Sequence, residues 1–71
     1  MPPGHRPLSL PQLQTFKGKR CRVLLSNRLV VHGVLADWDQ FMNLTLRDCT
    51  DSREQNYATA VIRGNAVVTI Q

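Results

Sequence analysis

Trp38-Asp39-Gln40-Phe41-Met42-Asn43-Leu44 reads as a short loop between two β-like stretches, and the fold follows from what stands on either side of it. Before the loop, residues 29–37 are rich in β-branched Val30, Val31 and Val34 and are interrupted by Gly33. A glycine inside a strand marks a bend or a close backbone approach. After the loop, Met42, Leu44 and Leu46 alternate with Asn43, Thr45 and Arg47, the period of a half-buried strand over 42–49. A long bent strand passing through a loop into a second strand suits a small barrel.

Working outward, the pattern continues on both sides. Ser26-Asn27-Arg28 is a tight turn in which Asn27 is the natural carrier of positive φ. Cys21, Val23 and Leu25 alternate with Arg20, Arg22 and Leu24 as a strand over 20–25. Upstream, Leu10, Leu13 and Phe16 recur at helical spacing behind Ser9 as N-cap and Pro11 in the first turn, and Gly18 stops the helix, predicted over 9–17. Residues 1–8 hold three of the four prolines and read as an extended lead-in. Downstream, 50–55 is a polar turn, 56–63 a fourth strand, Gly64-Asn65 a two-residue hairpin turn and 66–70 a fifth strand. The expected fold is all-β, a small five-stranded open barrel capped by a short N-terminal α-helix, forming one domain over 9–71.

Composition narrows the function. The chain has 71 residues, 42% hydrophobic and 20% charged, which is ordinary globular usage. Its formal charge of +4 suits a polyanion, and equally suits a merely soluble basic domain. Cys21 and Cys49 lack a CxxC spacing or a nearby His pair, so they read as buried free thiols, with no metal and no cofactor expected. The first residues show no apolar signal-peptide core, and no apolar run is long enough to span a bilayer, so no membrane partner is expected. With no paired carboxylates, no Ser/His/Asp set, no Cys/His pair and no phosphate-cradling glycine loop, an enzyme is the least favoured class.

Gly33, Asp39 and Met42-Asn43-Leu44, followed by Ile62-Arg63-Gly64-Asn65, resemble the two halves of the signature of the Sm and Sm-like family. The match is in the right order and spans the chain from the helix to Ile70. Within the family the chain is most similar to the G-type subunits of the spliceosomal Sm core. It departs from them in Trp38 for Phe, Gln40 for Pro, and Ser26-Asn27 for a usual glycine pair. The resemblance implies a strongly bent, SH3-like Sm fold.

It also implies a site. Phe41 is expected to stack on a base, Asn43 to bond the edge of a uracil, and Arg63 to lie against the same base or its phosphate, with Gly64 and Asn65 completing the second loop. A carboxamide suits an edge that offers both donor and acceptors, and aromatic stacking is worth roughly 1–3 kcal/mol per base. Strand alternation sends Phe41 and Asn43 to one side and Met42 to the core. Asp39 is expected to accept hydrogen bonds from loop N–H groups or from the Asn43 amide and so orient it. Trp38 is read as packing, and His32 as an outward residue. Arg20, Arg22, Arg28, Lys17 and Lys19 gather near the helix end and first strand, where contact with RNA flanking the ring is one reading and a solvated charged face is the commoner one. Each residue also has a plainer reading, Phe41 as core, Asn43 as a turn former, Arg63 as a solvated turn residue. Their coincidence favours the site.

An open barrel leaves two strand edges unpaired, and the apolar fifth strand invites a partner. The resemblance implies head-to-tail strand addition closing a seven-membered ring, with Val61, Ile62, Val67, Val68 and Ile70 at the subunit contact. The implied assembly is a heteroheptamer with E-type and D-type neighbours, holding the uridine-rich single-stranded site of a small nuclear RNA in a nuclear, splicing particle, its assembly in the cytoplasm allowed. A ring of the RNA-decay or archaeal type, and a structural subunit with little RNA contact of its own, remain open, as does a cold-shock-like fold, which would use several aromatics along its strands.

Overall fold

The computed structural model describes residues 8–71, so all of the proline-rich lead-in except Leu8 lies outside the described residues. The helix α1 spans Leu10–Phe16, with the Ser9 hydroxyl accepting from the Gln12 N–H at 3.3 Å and Pro11 in the first turn. Leu13 is the helical residue that is wholly buried, and it plugs the core from one end. Gly18, at φ 79°, turns the chain out of the helix and donates from its N–H to the Leu35 carbonyl at 2.7 Å. That bond ties the cap to the sheet.

Five antiparallel strands follow: β1 (Arg20–Leu25), β2 (Val30–Trp38), β3 (Leu44–Asp51), β4 (Asn56–Ile62) and β5 (Val67–Ile70). They form one sheet in the order β4-β3-β2-β1-β5. The inner face carries Cys21 and Val23 from β1, Val31 and Leu35 from β2, Leu44, Leu46 and Cys49 from β3, Ile62 from β4, and Val67 and Ile70 from β5. Burying each such aliphatic side chain contributes roughly 1.5–3 kcal/mol.

Two bulges between β2 and β3 bend the sheet. His32 pairs with Thr50 and Val34 with Arg47, so Asp48 and Cys49 together face the single Gly33. Asp48 adopts φ 53° there, and the burial of β3 changes phase, Leu44 and Leu46 lying inside before the bulge and Cys49 and Asp51 after it. A Cβ on Gly33 would stand 3.0 Å from the Arg47 carbonyl and 3.1 Å from Cys49 Sγ, so the glycine marks the close approach expected of it. The second bulge places Ala36 as an extra residue of β2, between the pairs Leu35 with Leu46 and Asp37 with Thr45.

Three expectations are corrected. β3 begins at Leu44, not residue 42, because Met42 adopts φ 62° and belongs to the loop. Gly64-Asn65 is not a hairpin turn. The segment Gly64–Ala66 is a 3-10 helix that carries the chain from β4, paired with β3, to β5, paired with β1, at opposite edges of the sheet. In the β1–β2 turn the positive φ falls on Arg28 at 72°, because the Asn27 side chain is engaged in accepting from the Leu29 N–H at 3.0 Å.

Residues 50–55, read as a plain polar turn, contain a buried anchor. Asp51 is 4% exposed, and its carboxylate accepts from the N–H groups of Arg53 and Gln55 and from the Tyr57 hydroxyl, at 2.9, 3.0 and 2.9 Å. The Gln55 N–H first, then the Tyr57 and Arg53 donors, hold this carboxyl below the ordinary aspartate range against the opposing effect of burial.

Candidate nucleic-acid interface

The loop between β2 and β3 is organised around Asp39. One carboxylate oxygen accepts from the backbone N–H groups of Phe41 and Asn43, each at 2.9 Å, and the other accepts from the Asn43 side-chain amide at 3.0 Å. The backbone closes the same turn, with the Met42 N–H donating to the Asp39 carbonyl at 3.0 Å. The Asn43 N–H and side-chain amide lower the Asp39 pKa, so the carboxylate stays charged and keeps its acceptor capacity.

Asn43 reaches from this loop to the next. Its Oδ1 accepts from the Gly64 N–H at 3.1 Å, joining the β2–β3 loop to the β4–β5 connection. Gly64 is required by space, since its φ is not positive. A Cβ would stand 2.9 Å from the Phe41 carbonyl oxygen and would also collide with the Met42 carbonyl. The two backbones are therefore in contact.

Phe41, Asn43 and Gly64 are thus brought together by direct contacts, and Arg63 and Asn65 flank Gly64 as exposed residues. Phe41 is 70% exposed. A core role for it is thereby ruled out, since the loop holds a large aromatic ring in water. What groups Phe41 and Asn43 is not strand alternation, because Met42 between them is left-handed. It is the Asp39 carboxylate, which fixes both backbones at once. Met42 still packs against the core. The Asn43 amide, half-committed to Asp39 and Gly64, keeps one N–H and one lone pair for a ligand.

The remaining expected positions fall differently. Trp38 is partly buried against the core, with Lys17 Nζ 5.6 Å from its ring centre, and His32 is exposed. Of the residues assigned to subunit contact, Ile62, Val67 and Ile70 are buried in this chain's own core, so their side chains are spent there. Val61 is 71% exposed and Val68 partly so. The Gly64 N–H contact with Asn43 was missed from sequence, where Gly64 was placed in the second loop of the site as a turn residue with no tie to the first loop. The Asp-x-x-x-Asn spacing was the available signal. A hollow of about 370 Å³ lined by Asp48, Cys49, Thr50, Asn56, Tyr57 and Ala58 lies at the β3 bulge and not at these loops. An exposed loop platform suits an extended ligand better than a cavity does.

A family model for the LSM domain matches residues 11–71. The chain belongs to the LSM domain family. It is 34% identical over 65 residues to the probable small nuclear ribonucleoprotein G of Drosophila melanogaster, covering 86% of each chain. It is 31% identical over 65 residues to the small nuclear ribonucleoprotein G of Schizosaccharomyces pombe, covering 86% of this chain and 84% of that one. Among solved structures, a heptameric archaeal Sm protein superposes with a TM-score of 0.77 at 31% identity, over 86% of this chain and 94% of its own. The Pyrococcus abyssii Sm protein, solved in complex with a uridine heptamer, superposes with a TM-score of 0.81 at 25% identity, over 90% and 96%. The five-stranded, helix-capped Sm fold of this LSM chain is the fold of those proteins.

Proposed function

We propose that this chain is an RNA-binding subunit of a seven-membered Sm ring that holds a uridine-rich single-stranded segment of a small nuclear RNA in the splicing machinery. The observation that carries this reading is the clamp of Asp39, Asn43 and Gly64, which holds the Phe41 backbone against the second loop and leaves its ring exposed. In it, Phe41 stacks on a base, the spare donor and acceptor of Asn43 meet the uracil edge, and Arg63 supplies a cation to the base or its phosphate. Gly64 lets the loops touch, and Asn65 borders the site. The chemistry is binding without catalysis. Several such loops on one ring engage one tract together, so modest single sites sum to tight binding.

The outer edges of β4 and β5, which pair with no further strand among the described residues, carry the ring contact, through backbone hydrogen bonds, the exposed Val61 and the partly exposed Val68. The likeness to ribonucleoprotein G chains supports E-type and D-type Sm neighbours and a nuclear site of action. Native mass spectrometry tests the assembly. Alone, the chain is expected not to form a stable homoheptamer, and with its Sm neighbours it is expected to enter a ring of seven different subunits. A clean homoheptamer would place it with rings of the archaeal type instead. Ultraviolet crosslinking of a uridine heptamer to the ring is expected to attach at the Phe41 peptide, and attachment only elsewhere would overturn the loop site.

A further inference from the structure

A second cationic surface lies away from the Phe41 loop, on the outward face of β1, β2 and β3. Arg20 and Arg22 alternate with the buried Cys21 and Val23, His32 with the buried Val31 and Gly33, and Arg47 precedes the bulge that turns Cys49 inward. The register sets Arg22 opposite His32, and sets Arg20 and Arg47 on either side of Val34. Neighbouring strands are about 4.8 Å apart and alternate residues about 6.8 Å, so the three guanidinium stems rise from a patch roughly 10 Å across. Their cross-strand partners on β2 and β4 are His32, Val34 and Thr59, and His32 in turn faces Thr50 on β3, none of them a carboxylate. Asp48 is the acid beside Arg47, and it engages Arg20 through its backbone carbonyl, which accepts from Nη2 at 3.2 Å.

Next to this patch is a hollow of about 110 Å³ lined by Arg22, Leu24, Val30, Thr69 and Gln71. Leu24 and Val30, paired across the sheet, give it an apolar floor, and Thr69, Gln71 and Arg22 ring it with polar groups. A nucleobase has this character, flat and apolar on its face and polar at its edge. A duplex keeps its bases stacked, and an acidic peptide has no such face, so the combination favours single-stranded nucleic acid.

We infer that this face binds the phosphodiester backbone of single-stranded RNA flanking the segment held at the Phe41 loop, with one base seated in the hollow beside Arg22. The inference rests on the ring-and-RNA reading above, and the test separates the two. Assembled rings are titrated with heptauridine and with heptauridine carrying a single-stranded extension, across a salt series. The variant is Arg22→Gln with Arg47→Gln, keeping Arg20 because it braces the bulge. The extended RNA is expected to bind on the order of tenfold more weakly, with a salt slope shallower by about 1.4, two phosphate contacts at about 0.7 each. Heptauridine affinity is expected to stay unchanged, and Arg22→Lys with Arg47→Lys to restore the slope. Equal affinity and slope for the extended RNA would overturn the inference, as would an equal loss for both RNAs, or an acidic peptide that depends on these arginines while RNA does not. Phe41→Ala weakens both RNAs; if it leaves heptauridine binding intact, the loop reading fails independently of this one.

Discussion

At the scale of single residues, Asp39 and Gly64 do what the sequence left half-said. The segment 37–43 was legible as a loop organised by Asp39, because Asp39, Phe41 and Asn43 stand at a recognisable spacing, but alternation was the wrong physics for it. A left-handed Met42 leaves no strand to alternate, and the carboxylate takes over the positioning. Gly64→Ala is expected to destabilise the chain by about 1–3 kcal/mol in denaturant unfolding, since its methyl would push into the Phe41–Met42 backbone. Phe41→Ala is expected to leave stability within about 0.5 kcal/mol, because the ring is already in water. Acid adds a further test. Asp39 and Asp51 both have lowered pKa values when folded, so their contribution is complete above the ordinary aspartate value and is lost as pH falls through the folded values. Stability is therefore expected to hold level down to about pH 4 and to fall below it. Asp51→Asn should flatten that fall.

At the scale of elements, strand positions were readable and strand partners were not. Alternation marks a strand wherever one face is buried, which is why β1 and β2 stand within a residue of where the pattern put them. Pairing of β5 with β1 is a long-range choice that no local turn encodes, and Gly64-Asn65 mimicked a hairpin because the same residue types suit a 3-10 helix. Asp51 was hidden for a related reason: a polar residue in a polar stretch gives no sign that its own turn will bury it. Gly33 was readable, since few causes put a glycine inside a valine-rich strand. Gly33→Ala is expected to cost about 1–3 kcal/mol, measured by urea unfolding, as its Cβ meets the bulged β3 backbone.

For the whole molecule, the sheet is an incomplete object. Among the described residues, the outer edges of β4 and β5 pair with no further strand, and with the exposed Val61 they are surfaces a lone subunit shows to water. Val61→Lys is expected to leave the isolated chain folded, by circular dichroism, and to block its entry into the ring, by native mass spectrometry. A variant that assembles normally would move the contact elsewhere on the sheet.

The central claim is that a clamped loop presents Phe41 and Asn43 to uridine, and equilibrium binding of heptauridine to the assembled ring tests it most directly. Phe41→Ala in this subunit alone is expected to lose roughly 1–3 kcal/mol in binding with the ring intact. An unchanged affinity in an intact ring would contradict it and leave this chain a structural member of the ring.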